Sequence, residues 1–215
     1  MDLLIFDLDG TLIDSKLDLA HAVNATRAFM GRQPLEHDTI YSYVGNGAPV
    51  LMRRTLGESA TEADIQTALE FFLRYYRDHM LDYTVLYPGV QETLLDLQAN
   101  GKQMAVLTNK PVRISTAILH GLGVGDCFFQ IFGGNSFEQK KPHPIGVETL
   151  LAQTKLKADR TLMVGDSSVD IQTARNAGIR ACGVTYGFQP ETLVTNPPDY
   201  LIDRFEQLTD LVREA

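Results

Sequence analysis

The chain has 215 residues, with 27 Asp or Glu against 19 Lys or Arg, which gives a formal net charge of −8. This acidic balance disfavours a nucleic-acid partner, because phosphate backbones attract basic surfaces, and no stretch approaches the roughly 20 apolar residues of a membrane span. The first residues lack the basic segment and cleavage pattern of a signal peptide, so we expect a cytoplasmic protein with neither nucleic-acid nor membrane partners.

The first predicted element is a buried strand, Leu3 to Phe6, followed directly by two carboxylates, Asp7 and Asp9. A run this apolar is typical of a parallel sheet, whose ligands lie at the carboxyl ends of the strands. Residues two apart on an extended strand point to the same side. Asp7 can then attack as a nucleophile while Asp9 gives and takes the proton. Alone, such a pair fits a solvated acidic turn equally well.

Residues 15–81 interrupt the strand pattern with helical signals. Apolar and small side chains of one predicted helix share a face, and Thr61 to Asp64 opens a longer helix that runs past Tyr75. We predict an all-helical inserted domain over 15–81 and an α/β core domain over 1–14 and 82–215. Such an insert begins and ends beside the strand-end site, so its closure would exclude water. The alternative is an insert that only adds core.

From residue 82 onward, strands and helices alternate as in a doubly wound, mainly parallel, Rossmann-like sheet. The strands predicted here, in chain order, are Gln103 to Thr108, Phe128 to Phe132, Thr161 to Val164, Arg180 to Thr185 and Tyr200 to Ile202. The helices are predicted around Val90 to Leu97, Ile114 to Leu122, Val147 to Leu151, Asp170 to Gly178 and Phe205 to Val212. The C-terminal third is therefore expected to be core.

The D-x-D-G-T sequence beginning at Asp7 resembles the first motif of the haloacid dehalogenase superfamily, whose commonest members are magnesium-dependent phosphatases. The superfamily's other motifs follow in order: Thr108 ends a strand, Lys141 precedes a proline, and Asp166 and Asp170 follow a further strand. The helical insert after the first strand is similar to the cap domain of this superfamily. The ordered set decides against an isolated acidic turn.

The resemblance assigns a role to each motif. Asp7, Asp9, Thr108 and Lys141 are the expected catalytic residues, and Thr108, Asn109 and Lys141 are expected to bind the phosphate. Asp7 and Asp166 supply the hard oxygen ligands that Mg²⁺ prefers. The resemblance adds the main-chain carbonyl of Asp9, and Asp170 acting directly or through water.

The expected substrate is a small phosphorylated metabolite. Residues 43–54 of the insert resemble the bacterial phosphoglycolate phosphatases, which implies 2-phosphoglycolate. Gly45, Asn46 and Gly47 would allow close approach of the backbone to the ligand, and Arg53 would pair with its carboxylate. The alternative for Arg53 and its neighbour Arg54 is a solvated helix face. The family's Lys-Pro-x-Pro-x-Pro pattern is incomplete after Pro144. This departure affects the prediction of where the next helix starts, and it does not affect the proposed chemistry.

Other functions differ at named residues. A haloacid dehalogenase would lack the second carboxylate, whereas Asp9 is present. A sugar phosphomutase of the β-phosphoglucomutase kind carries a cap histidine where this chain has Leu19, with His21 out of step. A pyrophosphatase of the same superfamily remains open. A non-catalytic interaction module would be expected to have lost Asp7, Asp9 or Lys141. A monomer and a homodimer are both compatible with the sequence.

Overall fold

The computed structural model describes residues 1–214. The chain divides into two compact units. One consists of residues 1–14 together with the described residues from Leu86 onward, and the other is the segment Ser15–Val85.

The first unit is built on a six-stranded parallel sheet. Its strands are β1 (Leu3–Phe6), β4 (Gln103–Leu107), β5 (Gln130–Phe132), β6 (Thr161–Gly165), β7 (Arg180–Val184) and β8 (Tyr200–Ile202). They lie in the order β5-β4-β1-β6-β7-β8, and β1 pairs in parallel with both β4 and β6. The strand order therefore reverses direction at β1, which is where ligands bind in sheets of this type. This confirms the predicted doubly wound, mainly parallel sheet.

Helices follow the strands as expected from the alternation. Those of the first unit are α5 (Val90–Ala99), α6 (Val112–Gly121), α7 (Ile145–Thr154), α8 (Ser168–Asn176) and α9 (Gln207–Glu214), with short 3₁₀ helices at Gly125–Cys127, Ala158–Arg160 and Pro190–Leu193. The predicted strand from Phe128 begins two residues late, because the chain first completes one of these 3₁₀ turns. Among the helices that the structure describes, none has the length and apolar character needed to cross a bilayer.

The sheet is covered on both faces, which explains why its strands are almost continuously apolar. Leu3 and Ile5 belong to a buried cluster that includes Val147 of α7 and Ile171 of α8. Phe6 instead has its ring 5.8 Å from that of Phe205, which precedes α9. Neighbouring residues of a strand face opposite sides, so β1 is buried from above and below.

The inserted unit is mainly helical. Its helices are α1 (Lys16–Phe29), α2 (His37–Tyr41), α3 (Ala48–Leu56) and α4 (Glu62–His79). As predicted, Thr61 opens α4: it is the N-cap before Glu62, and its reciprocal capping box with Asp64 satisfies the first backbone donors. The buried carboxylate of Asp18 accepts hydrogen bonds from the backbone amides of Tyr83 and Thr84, which ties the two ends of this segment together. A two-stranded sheet of β2 (Ile13–Asp14) and β3 (Val85–Leu86) was not predicted.

Candidate active site

Asp7 is the residue that follows β1. Its backbone N–H donates to the carbonyl of Val164 at 2.9 Å, which extends the pairing of β1 with β6 by one residue and fixes where the chain leaves the sheet. The turn continues through Gly10, whose φ of +83° is one that L side chains rarely adopt. A Cβ at Gly10 would also collide with the carboxylate of Asp166. Gly10 of the first motif is therefore in close contact with the carboxylate of Asp166 of the fourth motif.

Lys141 joins two of the predicted acidic residues. Its Nζ lies 2.8 Å from Oδ1 of Asp7 and 2.6 Å from Oδ1 of Asp170. The side chains of Lys141 and Asp170 are 2% and 0% exposed, so the ammonium is buried with its partners. Burial alone would lower the pKa of Lys141, but the charges of Asp170 and Asp7 raise it above its ordinary value. Lys141 is therefore a permanent cation beside the proposed nucleophile.

Asp166 is buried after β6 and is held by the backbone. Its Oδ2 accepts hydrogen bonds from the N–H groups of Phe188 at 2.6 Å and Gln189 at 3.3 Å. Burial raises the pKa of Asp166 well above its usual range, and the charges of Asp170 and Asp7 raise it further, against the effect of the two amides. Two backbone amides thus orient this carboxylate, and no ion pair of Asp166 with a lysine, arginine or histidine is found among the residues that the structure describes.

The carboxylates of Asp7, Asp166 and Asp170 converge. One oxygen from each lies within 4.8 Å of the other two, the spacing of ligands around one metal ion. Burial, together with the charge of Asp170 and despite Lys141, raises the pKa of Asp7 to about 6. Three buried carboxylates with one lysine leave an excess of negative charge, so an oxygen-seeking divalent cation fits this donor set.

Asp170 has both oxygens occupied by protein donors. Oδ1 accepts from Lys141, and Oδ2 accepts from the backbone N–H and the hydroxyl of Ser167 at 3.1 and 2.8 Å. The hydrogen bonds between Ser167 and Asp170 cap the N-terminus of α8, where the helix dipole favours a negative charge. Both predicted modes of action of Asp170 on a cation, direct and through water, stay predictions.

Thr108 and Asn109 follow β4, next to β1 in the sheet. The N–H of Thr108 donates to the carbonyl of Phe132 at 3.0 Å, so that the chain remains strand-like up to the buried hydroxyl. The side-chain amide of Asn109 donates to the carbonyl of Lys141 at 3.1 Å, which links the second and third motifs. The core-unit residues expected from the sequence thus lie on the loops that follow β1, β4 and β6, on the segment before α7 and in the first turn of α8.

The sequence profile of the haloacid dehalogenase-like hydrolases matches residues 4–184, which is most of the chain. The chain belongs to this family. The phosphoglycolate phosphatase of Colwellia psychrerythraea is 40% identical to this hydrolase, over 96% of its chain and 95% of that protein. The phosphoglycolate phosphatase of Vibrio parahaemolyticus is 38% identical to this hydrolase, and the match covers 98% of this chain and 95% of that protein. A crystal structure described as a predicted phosphoglycolate phosphatase from Haemophilus somnus matches with a TM-score of 0.93 at 33% identity, over 98% of this chain and 97% of that one.

These matches confirm the predicted resemblance to the haloacid dehalogenase superfamily and to the bacterial phosphoglycolate phosphatases, and they identify the chain as an enzyme of the hydrolase class. A second solved structure, from Lactobacillus delbrueckii subsp. bulgaricus, is described as a putative phosphoglycolate phosphatase. It has a TM-score of 0.90 at 27% identity and covers 98% of each chain. Similarity over nearly the whole chain includes the inserted segment as well as the sheet.

Two contacts in the site of this hydrolase are not indicated by its sequence motifs. Lys110, immediately after the second motif, lies 2.9 and 3.0 Å from the two carboxylate oxygens of Asp9. The amides of Phe188 and Gln189, which bind Asp166, come from the loop after β7. Neither segment belongs to one of the four motifs of the superfamily. The only available signal was position, since both loops follow strands that end at the same edge of the sheet.

Of the site residues predicted in the inserted unit, Gly45, Asn46 and Gly47 directly precede α3, and Arg53 lies in its last turn. Gly45 and Gly47 have φ values of +106° and +85°, so this turn requires glycine at both positions. Arg53 lies in α3 and forms a two-pronged ion pair with Glu62, with its Nη2 2.8 Å from Oε2. Both side chains are exposed. The roles of Gly45, Asn46, Gly47 and Arg53 stay predictions.

We expect Mg²⁺ to raise the melting temperature of this hydrolase by about 5 °C or more at pH 7.5, at saturating concentration. The pKa of Asp7 is raised on folding from 3.8 to about 6. The unfolded chain therefore ionises this group first, and the metal-free protein loses stability as the pH rises through that window. A cation that favours the ionised cluster should restore more stability at pH 7.5 than at pH 5. Differential scanning fluorimetry with and without Mg²⁺ measures both shifts.

The control for this measurement is Asp166→Asn, which removes one charge from the cluster but leaves an acceptor for the amides of Phe188 and Gln189. It should fold and lose most of the Mg²⁺-dependent gain. Equal Mg²⁺ effects at the two pH values, or an undiminished effect in Asp166→Asn, would contradict the assignment of the cluster as the cation site.

Proposed function

We propose that this hydrolase is a Mg²⁺-dependent phosphomonoesterase that works through an aspartyl-phosphate on Asp7. The observation that supports this most directly is the position of Asp7. It lies at the point where the strand order reverses, between a buried lysine and a cluster of carboxylates suited to a divalent cation. The relatives named phosphoglycolate phosphatases support the same reaction class.

In the first step, a carboxylate oxygen of Asp7 attacks the phosphorus of a bound phosphate ester in line with the leaving oxygen. Lys141 neutralises charge on the transferring group and holds Asp7 through its 2.8 Å contact. In this proposal the hydroxyl of Thr108 and the amide of Asn109 hydrogen-bond phosphoryl oxygens. Mg²⁺, held by Asp7, Asp166, the carbonyl of Asp9 and more remotely Asp170, would reduce the repulsion between the two anions.

Asp9 handles the protons of both steps. As the bond from phosphorus to the leaving oxygen breaks, Asp9 donates a proton to that oxygen. It then takes a proton from the water that attacks the aspartyl-phosphate. The water's oxygen bonds to phosphorus, the bond to Asp7 breaks, and inorganic phosphate leaves. Asp9 is thereby returned to its protonated form and Asp7 to its free carboxylate.

The proposed substrate is a small phosphorylated metabolite of the 2-phosphoglycolate type. Arg53 is the proposed partner for its carboxylate. The ion pair that Arg53 makes with Glu62 is exposed, and pairs of this kind contribute little to stability, so its opening would cost little free energy. Binding of such a substrate requires neither a membrane-spanning helix nor a basic surface. We therefore also propose that the enzyme is cytoplasmic.

A panel of phosphate esters with Mg²⁺ tests this function. We expect kcat/KM on 2-phosphoglycolate to exceed that on β-glucose 1-phosphate by at least about 10-fold, because the proposed contact with Arg53 needs a substrate carboxylate. Release of inorganic phosphate measures each rate. Conversion of β-glucose 1-phosphate to glucose 6-phosphate without phosphate release would favour the phosphomutase, and preference for pyrophosphate the pyrophosphatase.

Each reaction is repeated after chelation with EDTA and again after Mg²⁺ is added back. Loss of turnover that Mg²⁺ restores is the expected control result. A rate that is unaffected by EDTA would remove the metal from the proposal while leaving the phosphatase assignment to the substrate panel.

A further inference from the structure

Lys110 and Asp9 form a buried ion pair between two loops that lie far apart in the sequence. The Lys110 Nζ contacts both carboxylate oxygens of Asp9, at 2.9 and 3.0 Å, across 101 positions of sequence. The two side chains are 5% and 13% exposed. Removing two charges from water is costly, and one lysine contact to both oxygens restricts how the carboxylate can rotate.

The backbone of Lys110 is fixed independently of this pair. Its N–H donates to the hydroxyl of Thr108 at 3.3 Å, and its carbonyl accepts from the N–H of Gly134 at 2.9 Å. A Cβ at Gly133 would collide with the backbone of Val112. The loop after β4 is thus packed directly against the loop after β5. Hydrogen bonds and packing therefore fix the backbone from which the Lys110 side chain extends toward Asp9. In a lysine on the surface, only the contacts of the side chain itself would restrict its position.

We propose that Lys110 is a positioning residue that orients the Asp9 carboxylate for proton transfer. This inference rests on the proposed phosphatase reaction, in which Asp9 acts twice. Without Lys110, the Asp9 carboxylate loses the contact made to both of its oxygens, and its orientation toward the leaving oxygen and the attacking water is weakened. Lys110 itself need not touch the substrate.

The two proton transfers can be separated by the choice of substrate. p-Nitrophenyl phosphate releases a stable phenolate that needs no proton, so formation of the aspartyl-phosphate from it does not require a well-placed Asp9. Asp9, which keeps its proton in that first step, releases it to solvent and then takes a proton from the water that attacks the intermediate, so hydrolysis of the aspartyl-phosphate still requires a well-placed Asp9. A misplaced Asp9 should therefore slow the second step selectively with this substrate, and the aspartyl-phosphate should accumulate.

The experiment is stopped-flow measurement of p-nitrophenolate release by the Mg²⁺-loaded wild type and Lys110→Met. We expect the ratio of the first-turnover rate to the steady-state rate to rise at least about 10-fold in the variant, with a burst approaching one equivalent per enzyme. The surface substitution Lys157→Met is the control and should leave the ratio unchanged. Because a merely structural lysine would lower both rates together, an unchanged ratio in Lys110→Met would overturn the proposal.

A double variant tests whether Lys110 acts through Asp9, and it also removes the unpaired buried charge that Lys110→Met leaves behind. In the Asp9→Asn background, Lys110→Met should change the steady-state rate by less than about threefold, because the group it orients is already disabled. A loss as large as that in the wild-type background would count against the proposal, even where the single variant folds poorly. If the wild type hydrolyses none of the phosphate esters, the proposed function fails. If only these comparisons fail, the function stands without this role for Lys110.

Discussion

We expect the substitution Asp7→Asn to lower turnover on phosphate esters by at least about 10⁴-fold, which corresponds to roughly 5 kcal/mol of lost transition-state stabilisation. An asparagine keeps the size of Asp7 but removes the anionic oxygen that would bond to phosphorus. It also removes one charge from the convergent cluster with Asp166 and Asp170, so binding of the cation should weaken at the same time.

Covalent labelling separates these two effects. After brief exposure to a ³²P-labelled ester and acid quench, the wild type should retain label that hydroxylamine removes, as expected of an acyl-phosphate, and Asp7→Asn should retain none. Asp210→Asn, an exposed carboxylate on α9, is the matched control and should behave as the wild type. Unchanged phosphate release by Asp7→Asn would exclude Asp7 as the nucleophile.

The strands and the main motifs could be predicted because each depends on local sequence. Leu3 to Phe6 is apolar without interruption, as a strand buried on both faces must be, and Asp7 follows it. The same reasoning places Thr108 after β4 and Asp166 after β6. Because β4 and β6 both pair with β1, the three strand ends meet at one edge. The role of Lys141 came from the resemblance to a known family. Lys141 precedes a proline and does not directly follow a predicted strand, so the local pattern alone does not indicate its role.

The partners of these side chains could not be predicted from periodicity. The pairing of Lys110 with Asp9 depends on how two loops pack, and a lysine after a strand is otherwise expected at the surface. The engagement of Arg53 by Glu62 likewise depends on how the chain turns between α3 and α4. Hydrophobic spacing determines which face of an element is buried, but it contains no information on which charged group a loop side chain meets.

The substitution Lys141→Met should be the second most damaging to activity, with a loss in kcat of about 10³-fold and a smaller change in KM. Lys141 is buried between Asp7 and Asp170, so methionine preserves its volume but leaves two carboxylates facing each other without the cation between them. The charge developing on the transferring phosphoryl group also loses its neutralising partner. Steady-state kinetics on the preferred ester, with saturating Mg²⁺, measure the loss.

Stability gives a second readout of the same contact. Removing one partner of a buried ion pair leaves an uncompensated charge and typically costs about 3–5 kcal/mol. We therefore expect metal-free Lys141→Met to melt well below the wild type, and Mg²⁺ to recover more of the melting temperature in the variant than in the wild type. Lys140→Met, at the adjacent and more exposed position, should differ little from the wild type in kcat or in melting temperature. A Lys141→Met enzyme with near-normal kcat would mean that the contact with Asp7 serves only to hold the fold together.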